Sequence, residues 1–152
     1  MTDDSRNLAL AFWRRSKEFL EAANLVAEAA GDRVSLPAYY LWGHSIELSL
    51  KVFLIGHDIT LRELKSRELG HNLAALWQKA RSLGLEQEIH LYPKEIGVIL
   101  VLSQDYAEKK FEYAEAEQYN LPFIYLTKRT ADRLVLLLNP NRKVSSERAR
   151  GR

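Results

Sequence analysis

The chain contains no cysteine. Disulfides, thiolate metal sites and cysteine nucleophiles are therefore excluded. That absence agrees with a reducing compartment, and a cytoplasmic protein is expected. Proline is scarce at 4 residues and glycine at 7, too few for a collagen-like or linker-rich chain. Long hydrophobic runs are missing as well. The longest, Ile96 to Leu102, is interrupted by Gly97 and is far too short for a membrane span, and no run suits a signal peptide. No membrane partner is expected. Sustained alternation of apolar and polar residues is absent, so no sheet is expected. There is no Gly-rich phosphate loop and no nucleophile elbow.

What remains is an ordinary core-forming composition. Hydrophobic residues make up 47% of 152 positions. This suits one domain that buries its own core. The net charge of +2 is unevenly placed. From Asn139 to Arg152 five cations face the single acid Glu147, a net +4, which leaves −2 for Met1 to Leu138. The basic end reads as a solvated, disordered tail, and residues 1–138 as the folded domain. A slightly acidic body does not point to nucleic acid.

The helical signals are local. Thr2, Asp3, Asp4 and Ser5 suit a helix start, and Leu8, Phe12, Phe19, Ala23 and Val26 recur at helical spacing towards Gly31. One long helix from about Ser5 to Ala30 is predicted. A second is predicted from about Pro37 to Ile55, stopped by Gly56. On it Ala38, Ser45, Ser49 and Gly56 share a narrow arc that lets another helix approach closely. Thr60 to Glu63 is a capping-box pattern opening a short helix of about two turns. Further helices are predicted from about His71 to Leu83, from Pro93 to as far as Ala116, and from Thr127 to Leu138 before Asn139-Pro140-Asn141. The Pro93 helix is expected to turn Ile96, Ile99, Leu100, Ser103, Tyr106 and Ala107 inward. The fold class is all-α, an up-and-down-like bundle of four to five main helices.

Chemistry concentrates on one face of the second helix. His44, Glu47 and Lys51 stand at i, i+3 and i+7, and His71 opens the helix expected to pack beside them. Two readings follow. In one, Lys51 and a histidine hold a phosphate or carboxylate while Glu47 orients the histidine. In the other, the same groups form a buried network that holds two helices in register. His44 and Glu47 at one helical turn invite a metal, but no matching Glu-x-x-His motif exists elsewhere. No metal and no cofactor are expected. Ser45 and Ser49 lie on the small-residue arc, away from His44. Phe111, Tyr113, Tyr119, Phe123 and Tyr125 have the chemistry to stack bases, and are expected instead to pack over the end of the bundle.

The stretch from Leu36 to Leu85 resembles the HEPN family (higher eukaryotes and prokaryotes nucleotide-binding domain). The resemblance rests on the helix with Glu47, Leu48 and Lys51 followed by an apolar tail, and on the Gly70-His71-Asn72-Leu73 turn. Asn72 departs from the pattern, where Asp is usual. Tyr106 and the Phe111-Glu112-Tyr113 run are similar, more loosely, to a tyrosine-bearing helix of stand-alone members. The resemblance implies a helical bundle, often a homodimer. It also implies activities near nucleotides and RNA: metal-independent ribonucleases, toxins of toxin–antitoxin pairs, defence components, and partners of nucleotidyltransferases. The ribonuclease members carry Arg, four to six residues, then His. Here Arg67 and His71 are separated by only three residues, and no histidine follows His90. The expectation is thus a non-catalytic HEPN-like module that binds a nucleotide-type ligand, RNA or a protein partner through His44, Glu47, Lys51 and His71. The alternatives are a divergent ribonuclease using His71 or His44 with Arg67, and a structural homodimer sealed along the small-residue arc.

Overall fold

The computed structural model of the chain describes residues 1–107 and 121–142. Among them every regular element is helical: α1 (Asp3–Ala30), α2 (Leu36–Gly56), α3 (Leu61–Leu64), α4 (Leu73–Ser82), α5 (Leu85–Glu88), α6 (Pro93–Ala107) and α7 (Ile124–Leu137). The described residues form an all-α bundle of five main helices with two single-turn helices between them. The tail from residue 143 onward lies outside the described residues, as does the expected extension of α6 beyond Ala107.

Local chemistry sets the boundaries. Thr2 caps α1 by accepting from the Ser5 N–H, and Gly31 ends it with φ of 60°. Ser35, not singled out above, caps α2 with Pro37 in its first turn. Gly56 is still helical, and Asp58 rather than a glycine takes the left-handed φ of 63°. A short polar side chain tolerates that region. Thr60 caps α3 as the capping box predicts, although α3 makes one turn instead of two.

α2 is the centre of the bundle, in contact with α1, α4, α6 and α7. Every residue from Ser45 to Ile55 is buried. Side chains such as Ile46, Leu50 and Leu54 each stabilise the fold by about 1.5–3 kcal/mol on leaving water. Its small-residue arc meets α1. Ala38, Ser45 and Ser49 are wholly enclosed, and Ser45 Oγ donates to the Ser16 carbonyl at 2.8 Å. The arc is therefore an internal seam and not a dimer surface. The facing line on α1 is Ala9, Ser16, Leu20 and Ala23, so Leu8, Phe12, Phe19 and Val26 are only half-buried beside it.

The other helices are tied down by specific bonds. Trp13 donates its indole N–H to the Val135 carbonyl at 2.8 Å, joining α1 to α7. Tyr39 donates to the Pro122 carbonyl at 2.8 Å, and its burial pushes the phenol pKa up. α4 buries Leu73, Leu76, Trp77 and Ala80. α6 keeps only part of its expected inward face: Ile99 and Ser103 are buried and Ile96 packs against the core, while the side chains of Tyr106 and Ala107 lie outside the described residues. Val98, Ile99 and Leu102 face the core, whereas Leu100 is exposed. Ser103 is buried, and Glu95 and Asp105 are buried with it. A continuous apolar run leaves its inward side to be chosen by neighbours, and here two acids go inward.

Candidate functional site

The sequence-predicted residues converge on one carboxylate. Glu47 lies in the middle of α2 with its side chain 1% exposed. His44, one turn earlier, places Nδ1 2.9 Å from Glu47 Oε2. Lys51, one turn later, places Nζ 3.6 Å from Oε1. His71 arrives from another part of the chain and places Nδ1 2.6 Å from the same Oε1.

His71 does not open a helix, contrary to the expectation from sequence. It sits in the turn before α4, whose cap is Asn72. The Asn72 side chain accepts from the Ala75 N–H at 3.0 Å, and Ser103 of α6 accepts from the Ala74 N–H at 2.9 Å. Asp or Asn serves such a cap equally well, which gives the departure at Asn72 a benign meaning. Gly70 lets the turn close. A Cβ there would stand 3.0 Å from the Ser66 carbonyl oxygen.

The His44 ring is held by aromatic neighbours that the sequence reading missed. Phe19 of α1 packs edge-on at 4.3 Å, and Tyr40 lies parallel at 6.3 Å. Tyr40, at i−4 on the same helix, was visible by spacing. Phe19 had no local signal.

The electrostatics decide the state of the carboxylate. Burial alone would push the Glu47 pKa up. The His44 hydrogen bond and the charges of Lys51, His44 and His71 outweigh it and hold the group below its ordinary value. Glu47 is ionised at neutral pH. It accepts from both histidines, so each imidazole carries a hydrogen on Nδ1. Exposure rises outward from the carboxylate: Lys51 11%, His44 20%, His71 67%. The interior of the site is thus a satisfied ion network, and its outer edge is an oriented histidine ring at the surface.

Arg67, the candidate catalytic arginine, is exposed. The cation that reaches Glu47 is Lys51. Among the described residues no group of three or more His, Asp or Glu side chains is placed to hold a metal ion, and no helix is long and apolar enough to cross a membrane.

A second charged cluster was not found by sequence reasoning. Glu95, buried at the start of α6, accepts from the Tyr92 N–H at 2.9 Å and pairs with Arg133 of α7. Arg133 also donates to the His90 carbonyl at 2.8 Å. The first half had a signal, since Pro93 at the first helical position and Glu95 two residues on match the N-terminal pattern. The aromatic prediction is corrected for two of its five members. Phe123 and Tyr125 are 84% and 85% exposed, so they pack nothing down. Phe111, Tyr113 and Tyr119 lie outside the described residues. No family model, no curated protein and no solved structure matches the chain.

Proposed function

We propose that the chain is a non-catalytic, HEPN-like binding module that takes an anionic, nucleotide-type ligand at the edge formed by His71, His44 and Lys51. One observation carries this reading. Two separate segments bring three nitrogen-bearing side chains to a single buried carboxylate, and the outermost ring stays two-thirds exposed. A network serving the core alone has no need of an exposed member. Glu47 fixes the tautomer and direction of both rings, and donors already oriented lose little entropy when an anion arrives. RNA and a protein partner remain the wider ligand classes of this reading, with the module working as a cytoplasmic homodimer.

The test is a thermal-shift series with mono-, di- and trinucleotides and short RNA. A ligand that binds only the folded state raises the melting temperature with occupancy. The shift should disappear in His71→Ala and in Lys51→Ala. Unchanged binding in both variants removes the site from these residues.

A second reading is favoured by the 2.6 Å contact between Glu47 and His71. A histidine oriented by a carboxylate, with another histidine on the opposite oxygen, has the parts for metal-independent cleavage of RNA by acid–base catalysis. Against it stands the lack of the Arg-x4–6-His spacing. Cleavage of single-stranded RNA in the presence of a chelator, abolished in His71→Ala, would establish it.

A further inference from the structure

α7 begins on a ridge of exposed rings. Phe123 and Tyr125 point outward on either side of Ile124, which packs against the core. Two large aromatic residues left in water forgo the burial that most such side chains find. Beside the ridge runs a groove of about 620 Å³ between α6 and α7. Its floor is aliphatic, made by Val98, Val101 and Leu126. Lys94 and Arg129 stand at its rim, and no carboxylate is among the described residues that line it.

The rim cation is held in place. The Arg129 guanidinium lies 5.4 Å from the centre of the Tyr92 ring, and that of Arg133 lies 5.1 Å from the same centre. Arg133 is anchored in turn by buried Glu95 and by the His90 carbonyl. A chain of contacts therefore runs from an interior acid to a surface cation, which reduces the ordering cost when a partner binds.

We infer that this groove docks an acidic, amphipathic helical segment of a partner protein. Apolar side chains of that segment, spaced at i, i+3 or i+4, and i+7, fill the aliphatic floor against Phe123 and Tyr125. Its carboxylates meet Lys94 and Arg129, which choose the sign of the partner. Exposed aromatic rings and arginine are the residue types that carry most binding energy at interfaces. Single-stranded nucleic acid would also use rings and cations. The aliphatic floor of Val98, Val101 and Leu126, however, matches apolar side chains better than the polar edges of bases. The groove uses none of His44, Glu47, Lys51 or His71, so it stands or falls separately from the site around Glu47.

The experiment is selection from a phage-displayed library of random peptides of about 16 residues, roughly four helical turns, on the full chain. Enriched peptides should be acidic with apolar residues at helical spacing. Their affinity should fall at least about tenfold in the Phe123→Ala, Tyr125→Ala double variant. Binding should vanish in the Lys94→Glu, Arg129→Glu variant, and a lysine-for-glutamate version of the peptide should bind that variant instead. All four side chains are exposed, and unchanged melting curves verify that the variants fold. Enrichment without acidic bias, or binding retained by both double variants, overturns the proposal. So does labelled oligouridylate that binds through these four residues where the selected peptides do not.

Discussion

His71 lies 2.6 Å from Glu47 although 24 positions separate them in sequence. The contact crosses from the turn before α4 to the middle of α2 and joins a surface ring to an interior charge. Burying a carboxylate is costly unless its oxygens are matched. Here Oε2 is matched by His44, and Oε1 by Lys51 and His71. The arrangement is as much a fastening between two parts of the bundle as a candidate site.

Glu47→Ala should destabilise the fold by about 3 kcal/mol, because Lys51 is left in a nearly closed position without its counter-charge. Urea unfolding measures this. A loss below about 1 kcal/mol, the range of exposed ion pairs, would mean that the network contributes little to stability.

Acidification should weaken the wild-type protein through the same residue. The folded Glu47 pKa is depressed below its ordinary 4.5. Its stabilisation is therefore complete above that value and is lost as pH falls through the folded value, where the unfolded chain binds the proton more readily. Unfolding midpoints followed downward from about pH 6 should decline more steeply for wild type than for Glu47→Gln. Parallel curves would contradict the depressed value.

Ser49 offers a pair of opposite substitutions. Its Oγ is buried with no hydrogen-bond partner among the described residues, so Ser49→Ala should be neutral or stabilise by up to about 1 kcal/mol. Ser49→Leu should overpack the seam with α1 and cost about 1–3 kcal/mol. Neither should change the mass in light scattering, since the seam is internal.

Asn72→Ala should cost about 1 kcal/mol as a lost helix cap, and Asn72→Asp should cost almost nothing. If the cap also positions the His71 turn, Asn72→Ala weakens the nucleotide-induced thermal shift, and Asn72→Asp keeps it. Equal shifts in both variants would confine Asn72 to capping.

Arg133→Ala should cost about 3 kcal/mol by leaving Glu95 buried beside no cation. Arg133→Lys should recover only part of this. A single ammonium does not reproduce the fork that reaches both Glu95 and the His90 carbonyl. Full recovery by lysine would show that charge alone matters there.

Much of the helical layout was legible because its causes are local. Thr2, Thr60, Pro93 and Gly31 announce starts and stops through hydrogen bonds or backbone geometry spanning a few residues. The face bearing His44, Glu47 and Lys51 was legible for the same reason, since three and four residues make one turn. The inward face of α6 was legible only in part. The run from Ile96 to Leu102 is apolar on every side, so nothing local distinguishes buried Leu102 from exposed Leu100.

The sequence by itself determined roughly where the five main helices of the described residues lie, which side chains share a turn, and that no thiol chemistry is available. Only the tertiary structure decided that the small-residue arc faces α1, and that Glu47 is an interior charge while His71 stays at the surface. It alone joined Glu95 to Arg133 across 38 positions and left Phe123 and Tyr125 outside. Turn-scale geometry acts within about four residues. Burial and distant partners arise only when helices pack, and that packing sets the charge state of Glu47.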